Sequence, residues 1–189
     1  MYYTVDFYGI ERKLPICPIS ETLQIAAFNM LGDNELTKVL AEEAYKKIEN
    51  LDFDIFLTAE CKGIAFTQEV SRLFYERKNQ KFFVAARKGF KLYMNEPVSV
   101  EVNSITTKSS QKLWLSKDEA GKLKGKKVVI ADDVISTGNT VAAIYKLLEK
   151  VGAEAVAELC VFAEGSATER KNIFYLKKLP LFDGNGREI

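Results

Sequence analysis

Residues 128–140 read VVIADDVISTGNT. Lys127 to Ala131 (KVVIA) is a strongly apolar run of strand length. Asp132 and Asp133 stand at its carboxyl end, Val134 to Asn139 make a small polar turn, and Thr140 opens a helix. That helix, residues 140–151, carries Val141, Ile144, Tyr145, Leu148 and Val151 on one face, and Gly152 stops it. In the turn Ser136, Thr137, Gly138, Asn139 and Thr140 can aim N–H and hydroxyl groups at one point, where the helix adds its positive end. Such a turn is a cradle for a phosphate dianion. It is not a Walker A loop, because no GxxxxGK is present. The two carboxylates would repel a phosphate but suit the hydroxyls of a sugar, and they bias the site toward Mg²⁺. Cradle and acids together imply ribose 5-phosphate. Plain helix capping by Asp133 and Ser136 accounts for one acid and one hydroxyl only.

Outward from this segment, the pattern is one of alternation. Residues 33–50 place Leu36, Val39, Leu40, Ala44 and Ile48 in a helical stripe. Residues 54–58 (DIFLT) read as a buried strand, and 64–75 as a helix with Val70, Leu73 and Phe74 inward. Residues 81–86 (KFFVAA) and 155–163 are further strands, and Gly121 and Gly125 mark turns. Residues 97–115, rich in Val, Ser and Thr, look like two extended arms around a polar tip. Strands alternating with helices predict an α/β fold, a parallel sheet flanked by helices on both faces. In such sheets ligands sit at the carboxyl ends of the strands, which is where residues 132–140 fall.

Composition narrows the chemistry. The chain has 189 residues, enough for a single domain with one sizeable core. Its net charge of +1 provides no general attraction for nucleic acid or a membrane surface, so phosphate binding must come from a local site. No apolar run reaches membrane-span length, and the start does not read as a signal peptide. Three scattered cysteines, Cys17, Cys61 and Cys160, fit reduced thiols in a cytoplasmic protein. The absence of histidine excludes a Ser-His-Asp triad and a His-ligated zinc. An enzyme of this composition works by positioning, oxygen ligands and charge.

Residues 128–140 resemble the phosphoribosyl pyrophosphate (PRPP) motif of the type I phosphoribosyltransferases. Asp132 and Asp133 match its acidic pair, and Ser136 to Thr140 its 5′-phosphate loop, with Asn139 where glycine is commoner. Residues 57–64 (LTAECKGI) resemble the family's pyrophosphate loop. That likeness places Glu60, Cys61 and Lys62 beside the pyrophosphate, implies a strained peptide bond in the stretch, and gives Gly63 the task of letting chain approach ligand. Arg87, Lys88 and Lys91 follow another strand, as cations do in the purine enzymes. Residues 98–115 resemble the mobile loop over the active site, on which Glu101 is a candidate acid or base. The stretch LPICPISETLQIAAFN (residues 14–29) is similar to the hood of xanthine and adenine phosphoribosyltransferases.

The resemblance therefore implies one phosphoribosyltransferase domain, with residues 1–32 and 164–189 forming a hood over the base. Leu23, Phe28, Met30, Phe162 and Glu164 are the candidate base-binding residues. The implied reaction joins the ribose of PRPP to a purine, with Mg²⁺ carried by PRPP and Asp132 and Asp133 as its candidate ligands. A homodimer is implied. In 6-oxopurine members a lysine follows the last parallel strand; here the stretch is VFAEGS, with Gly165 at that place. The expected base is thus adenine, and the tail ERKNIFYLKKLPLF resembles adenine enzymes. Hood and mobile loop look nearer the xanthine enzymes, which keeps xanthine, hypoxanthine and guanine as alternatives. A PRPP-sensing regulator is the alternative of another class. It is disfavoured by the near-zero charge and by the short stretch before the hood.

Overall fold

The computed structural model describes residues 1–80, 82–102 and 111–189. The chain opens with a hairpin of β1 (Tyr2–Phe7) and β2 (Ile10–Pro18). Its two turn residues, Tyr8 and Gly9, both have positive φ, the conformation that matches the twist of a tight hairpin. There follow β3 (Leu23–Ala26), α1 (Asn34–Ile48), β4 (Ile55–Ala59), α2 (Gly63–Lys78) and β5 (Phe83–Ala86). Next come β6 (Val98–Val102), β7 (Gln111–Leu115), α3 (Lys117–Leu123), β8 (Lys127–Ile135) and α4 (Asn139–Val151). The chain ends with β9 (Glu154–Glu164), a 3-10 turn (Gly165–Glu169), β10 (Ile173–Leu179) and β11 (Leu181–Asp183).

The main sheet is five-stranded and parallel, in the order β10-β9-β8-β4-β5. Its strands are apolar on both faces because both are covered. Phe56, Val129, Ala131 and Leu159 face α1 and α2, whereas Ile55, Leu57, Val128 and Ile130 face α3, α4 and the β6–β7 hairpin. The expected parallel sheet with helices on both faces is thus present. The sheet has one strand more than the alternation suggested: β10, not the strand at 155–163, is the last.

The second sheet is four-stranded, in the order β1-β2-β3-β11, with antiparallel pairings. It joins both chain ends into one hood. Of residues 164–189, β11 enters this hood, whereas β10 extends the main sheet. Phe7 of β1, Phe28 and Phe162 of β9 form an aromatic cluster with ring centroids 4.9–5.8 Å apart, fastening hood to sheet.

Two local expectations are corrected. Gly125 is in a turn with φ 72, but Gly121 lies inside α3. There the Ser116 side chain caps the Glu119 amide and Glu119 caps Ser116 in return, so a short helix forms despite the glycine. The strand at the decisive segment also runs on to Ile135, because Asp132, Val134 and Ile135 keep their pairing with Cys160, Phe162 and Ala163 of β9. The two acids therefore sit within β8 rather than past it.

Topology decides where a ligand can lie. From β4 the chain crosses by α2 to β5 on one side, then returns to β8 on the other side of β4. The loops after β4 and β8 leave toward opposite faces of the sheet, into α2 and α4 respectively. A crevice opens between them at this switch point. Among the described residues no helix is long and apolar enough to cross a membrane.

Candidate active site

The loop after β4 enters the crevice first. Its Glu60–Cys61 peptide bond is cis, at the stretch where an unusual bond was implied. A Cβ on Gly63 would fall 2.5 Å from Asp132 Oδ1 and 2.7 Å from Thr58 Oγ1, so only glycine fits. The close approach it permits is to the acid of β8. Lys62 donates to the Phe28 carbonyl at 2.9 Å and holds its ammonium 3.3 Å from Asp133 Oδ2. One lysine thus ties the β4 loop, β8 and the hood segment together. Cys17, Cys61 and Cys160 are all free, and Cys61 is exposed.

The cations after β5 have acidic partners. Glu60 accepts from the Lys88 amide at 2.9 Å and from Arg87 at 3.4 Å. Arg87 also lies 4.0 Å from Glu119, and its Nε is buried without a hydrogen bond. Arg87 is further pinned by reciprocal backbone bonds to Trp114 of β7, both 2.9 Å. The Lys88 side chain is exposed, and its charge acts on Asp132. Lys91 lies beyond, exposed. Glu101 is exposed near the end of β6, 3.9 Å from Lys112 across the hairpin. The tip of the segment likened to a mobile loop, residues 103–110, lies outside the described residues.

At the acidic pair, the Asp133 amide donates to Asp132 Oδ1 at 2.9 Å. Burial, then the neighbouring Asp133 charge, push the Asp132 carboxyl well above its ordinary range, and Lys88 opposes them. Asp133 Oδ2 is buried without a hydrogen bond, because the Lys62 ammonium is within ion-pair distance but not aligned to donate. Paired carboxylates with an undersatisfied oxygen fit Mg²⁺ that takes its other ligands from substrate and water. Among the described residues no cluster of three or more acidic or cysteine side chains would hold an ion alone.

The turn after β8 has no cap of its own. Gly138 is the N-cap of α4 with φ 78, and no side chain bonds the first-turn amides. Neither Asp133 nor Ser136 caps the helix, so the amides of Asn139 and Thr140 lack an intrahelical acceptor and face the crevice end.

Beside this turn is a cavity of about 320 Å³ between hood and sheet. Ile19, Leu23, Ile25 and Leu181 give it apolar walls, and Ser136, Thr137 and Glu164 give it polar ones. Glu164 closes β9; burial raises its carboxyl, and no hydrogen bond or ion pair from a described residue reaches it. Gly165 has φ 55, a conformation that strains any other residue, and the polar side chains on either side of it at this wall are Glu164 and Ser166. Leu23 and Glu164 are brought to the cavity. Phe28, Met30 and Phe162 are not: Met30 and Phe162 are wholly buried, and Phe28 packs its ring on Phe7 and Phe162. Ile25, which alternates with Leu23 along β3, and Leu181 carry no signal in the sequence, because no local pattern places the two chain ends side by side.

The family model described as phosphoribosyl transferase domain matches residues 29–185. The chain is 34% identical over 154 residues to an adenine phosphoribosyltransferase of Thermosipho africanus, covering 81% of this chain and 84% of that protein. It is 38% identical over 135 residues to a hypoxanthine/guanine phosphoribosyltransferase of Methanothermococcus okinawensis, covering 70% and 67%. The adenine phosphoribosyltransferase structure from Thermoanaerobacter pseudethanolicus superposes with a TM-score of 0.66 at 23% identity, covering 94% of this chain and 95% of that one. With a crevice at the β4–β8 switch point and a family match over most of its length, the chain belongs to the phosphoribosyltransferases.

Proposed function

We propose that the protein transfers the 5-phosphoribosyl group of PRPP to adenine, giving AMP and pyrophosphate. The observation that carries the choice of base is Glu164. It lines the cavity next to the phosphate turn, and among the described residues no lysine or arginine lines that cavity. The exocyclic amine of adenine donates at the edge where a 6-oxopurine accepts, so a carboxylate acceptor at Glu164 favours adenine over an oxo group. The relative named for hypoxanthine/guanine, at similar identity, makes a 6-oxopurine the second reading.

In this reading the amides and hydroxyls of residues 136–140 hold the 5-phosphate, and Asp132 and Asp133 accept from the ribose hydroxyls. The sugar is thereby aligned for displacement at C1, the base nitrogen attacking opposite the leaving group. Lys62, Lys88 and Arg87 lie on the pyrophosphate side, where their charge stabilises the departing anion. Mg²⁺ bound with PRPP would neutralise further charge on that group. Arg87 must loosen from Glu60 to take part, since that carboxylate holds it now. The exposed Phe90, Leu92 and Tyr93 on the loop after Lys88 support a homodimer.

The test is a panel of free purines with PRPP and Mg²⁺, read by pyrophosphate release. Adenine is expected to turn over fastest. Faster turnover of hypoxanthine, guanine or xanthine at equal concentration overturns the choice of base. No turnover with any purine overturns the transfer itself.

A further inference from the structure

Glu158 is the one acid in the interior of the apolar strand β9, between Glu154 and Glu164 at its two ends, and its side chain is 3% exposed. A buried carboxylate needs compensation. Arg170, just past the 3-10 turn, supplies it through a two-point fork: Nε to Oε2 at 2.6 Å and Nη2 to Oε1 at 2.5 Å. The Tyr145 hydroxyl of α4 donates to the same Oε1 at 3.0 Å. The tyrosine expected on the buried face of α4 is instead at its edge, recruited to this group.

The fork uses one edge of the guanidinium. The other end, Nη1, lies over Gly138: a Cβ built there would be 3.1 Å from Nη1 and 3.8 Å from Cζ. Gly138 is the left-handed, uncapped N-cap of α4, in the middle of the phosphate turn. A cation fixed at this place reinforces the positive end of the helix. It also packs directly against the Gly138 position of the turn. Glu158 and Tyr145 immobilise the arginine, so its charge is aimed without further ordering at the time of binding.

We propose that Arg170 is a positioning residue for PRPP, locked by Glu158 and Tyr145 so that it holds Gly138 and the phosphate turn in the anion-binding shape. The proposal rests on the reading of residues 136–140 as the 5-phosphate site. Arg170 acts through Gly138, and Glu158 serves to aim it. The strength of the fork is reflected in Arg170, whose basicity is raised first by its bonds to Glu158, and in Tyr145, whose hydroxyl is pushed up to about 12 by burial and then by Glu158.

The test compares wild type, Arg170→Lys and the double variant Glu158→Gln/Arg170→Gln, which leaves no buried unpaired charge. PRPP and adenine KM are measured separately, PRPP binding is followed by calorimetry, and folding by circular dichroism. The double variant is expected to fold and to lose PRPP affinity about tenfold, which is about 1.4 kcal/mol, with adenine KM unchanged. Arg170→Lys keeps the charge but not the fork and should fall between. A folded double variant with wild-type PRPP affinity overturns the proposal, as does an equal rise in both KM values, which is what a merely structural role gives. Wild-type protein that does not bind PRPP overturns the phosphate-site reading, and this proposal with it, whatever the variants do.

Discussion

Lys62 reaches from the start of α2 to within 3.3 Å of Asp133, at the middle of the crevice, while its other contact is the backbone of Phe28 in the segment leading from the hood. The lysine is half exposed, so its removal creates no cavity. What it removes is the only counter-charge that a described residue places within ion-pair distance of Asp133.

Lys62→Met is therefore expected to raise the KM for PRPP about tenfold, in line with a charge-assisted contact of roughly 1.5–3 kcal/mol, with little loss of thermal stability. Steady-state kinetics and a melting curve check it together. An unchanged PRPP KM would remove Lys62 from the site.

Asp132→Asn should cost activity at low PRPP and add stability. The folded carboxyl is raised, so between the ordinary aspartate range near about 4 and the folded value the native state binds more protons than the unfolded one. Stability then falls as pH rises through that window. The asparagine has no such loss. In the absence of PRPP its Tm should exceed that of wild type at pH 8 and approach it at pH 4.5. A gain that does not grow with pH contradicts the assigned cause.

Phe28→Ala is expected to destabilise by about 3–5 kcal/mol, because its ring fills the space between Phe7 and Phe162. Denaturant unfolding measures this. A change in adenine KM without loss of stability would return Phe28 to the base pocket.

Glu164→Lys should shift preference from adenine toward hypoxanthine or guanine. The side chain already lines the cavity, whereas a lysine at 165 would have to adopt φ 55. Purine competition at fixed PRPP reads the outcome, and an unaltered preference order counts against Glu164 as the reader of the base.

Leu92→Asp with Tyr93→Ser should convert a homodimer to monomer, since Leu92 is 98% and Tyr93 68% exposed on one loop. Analytical ultracentrifugation decides; a wild-type monomer refutes the dimer.

The sequence by itself determined the α/β architecture and the acid–turn–helix segment. Both rest on short-range patterns: an apolar run of strand length, a helical stripe, small polar residues between. The cis bond at Glu60–Cys61 falls where the family resemblance pointed, and the phosphate turn before α4 where the local residues did. Tertiary structure decided whatever depends on distant segments meeting. Leu23 and Met30 are apolar residues at near-helical spacing, and neither that spacing nor a lone Phe28 distinguishes a core position from a pocket wall; the closing of hood on β9 buried Phe28 and Met30. Leu181 reaches the cavity because β11 pairs with β3 across most of the chain. Gly63 meets Asp132 because β4 and β8 are neighbours. Glu158 did leave a local trace, one acid within the apolar run AVAELCVFA (155–163), and burial obliges such a charge to find a partner. That the partner is Arg170, and that it lies over Gly138, follows from the turn after β9 folding back along α4, a meeting set by packing rather than by neighbouring residues.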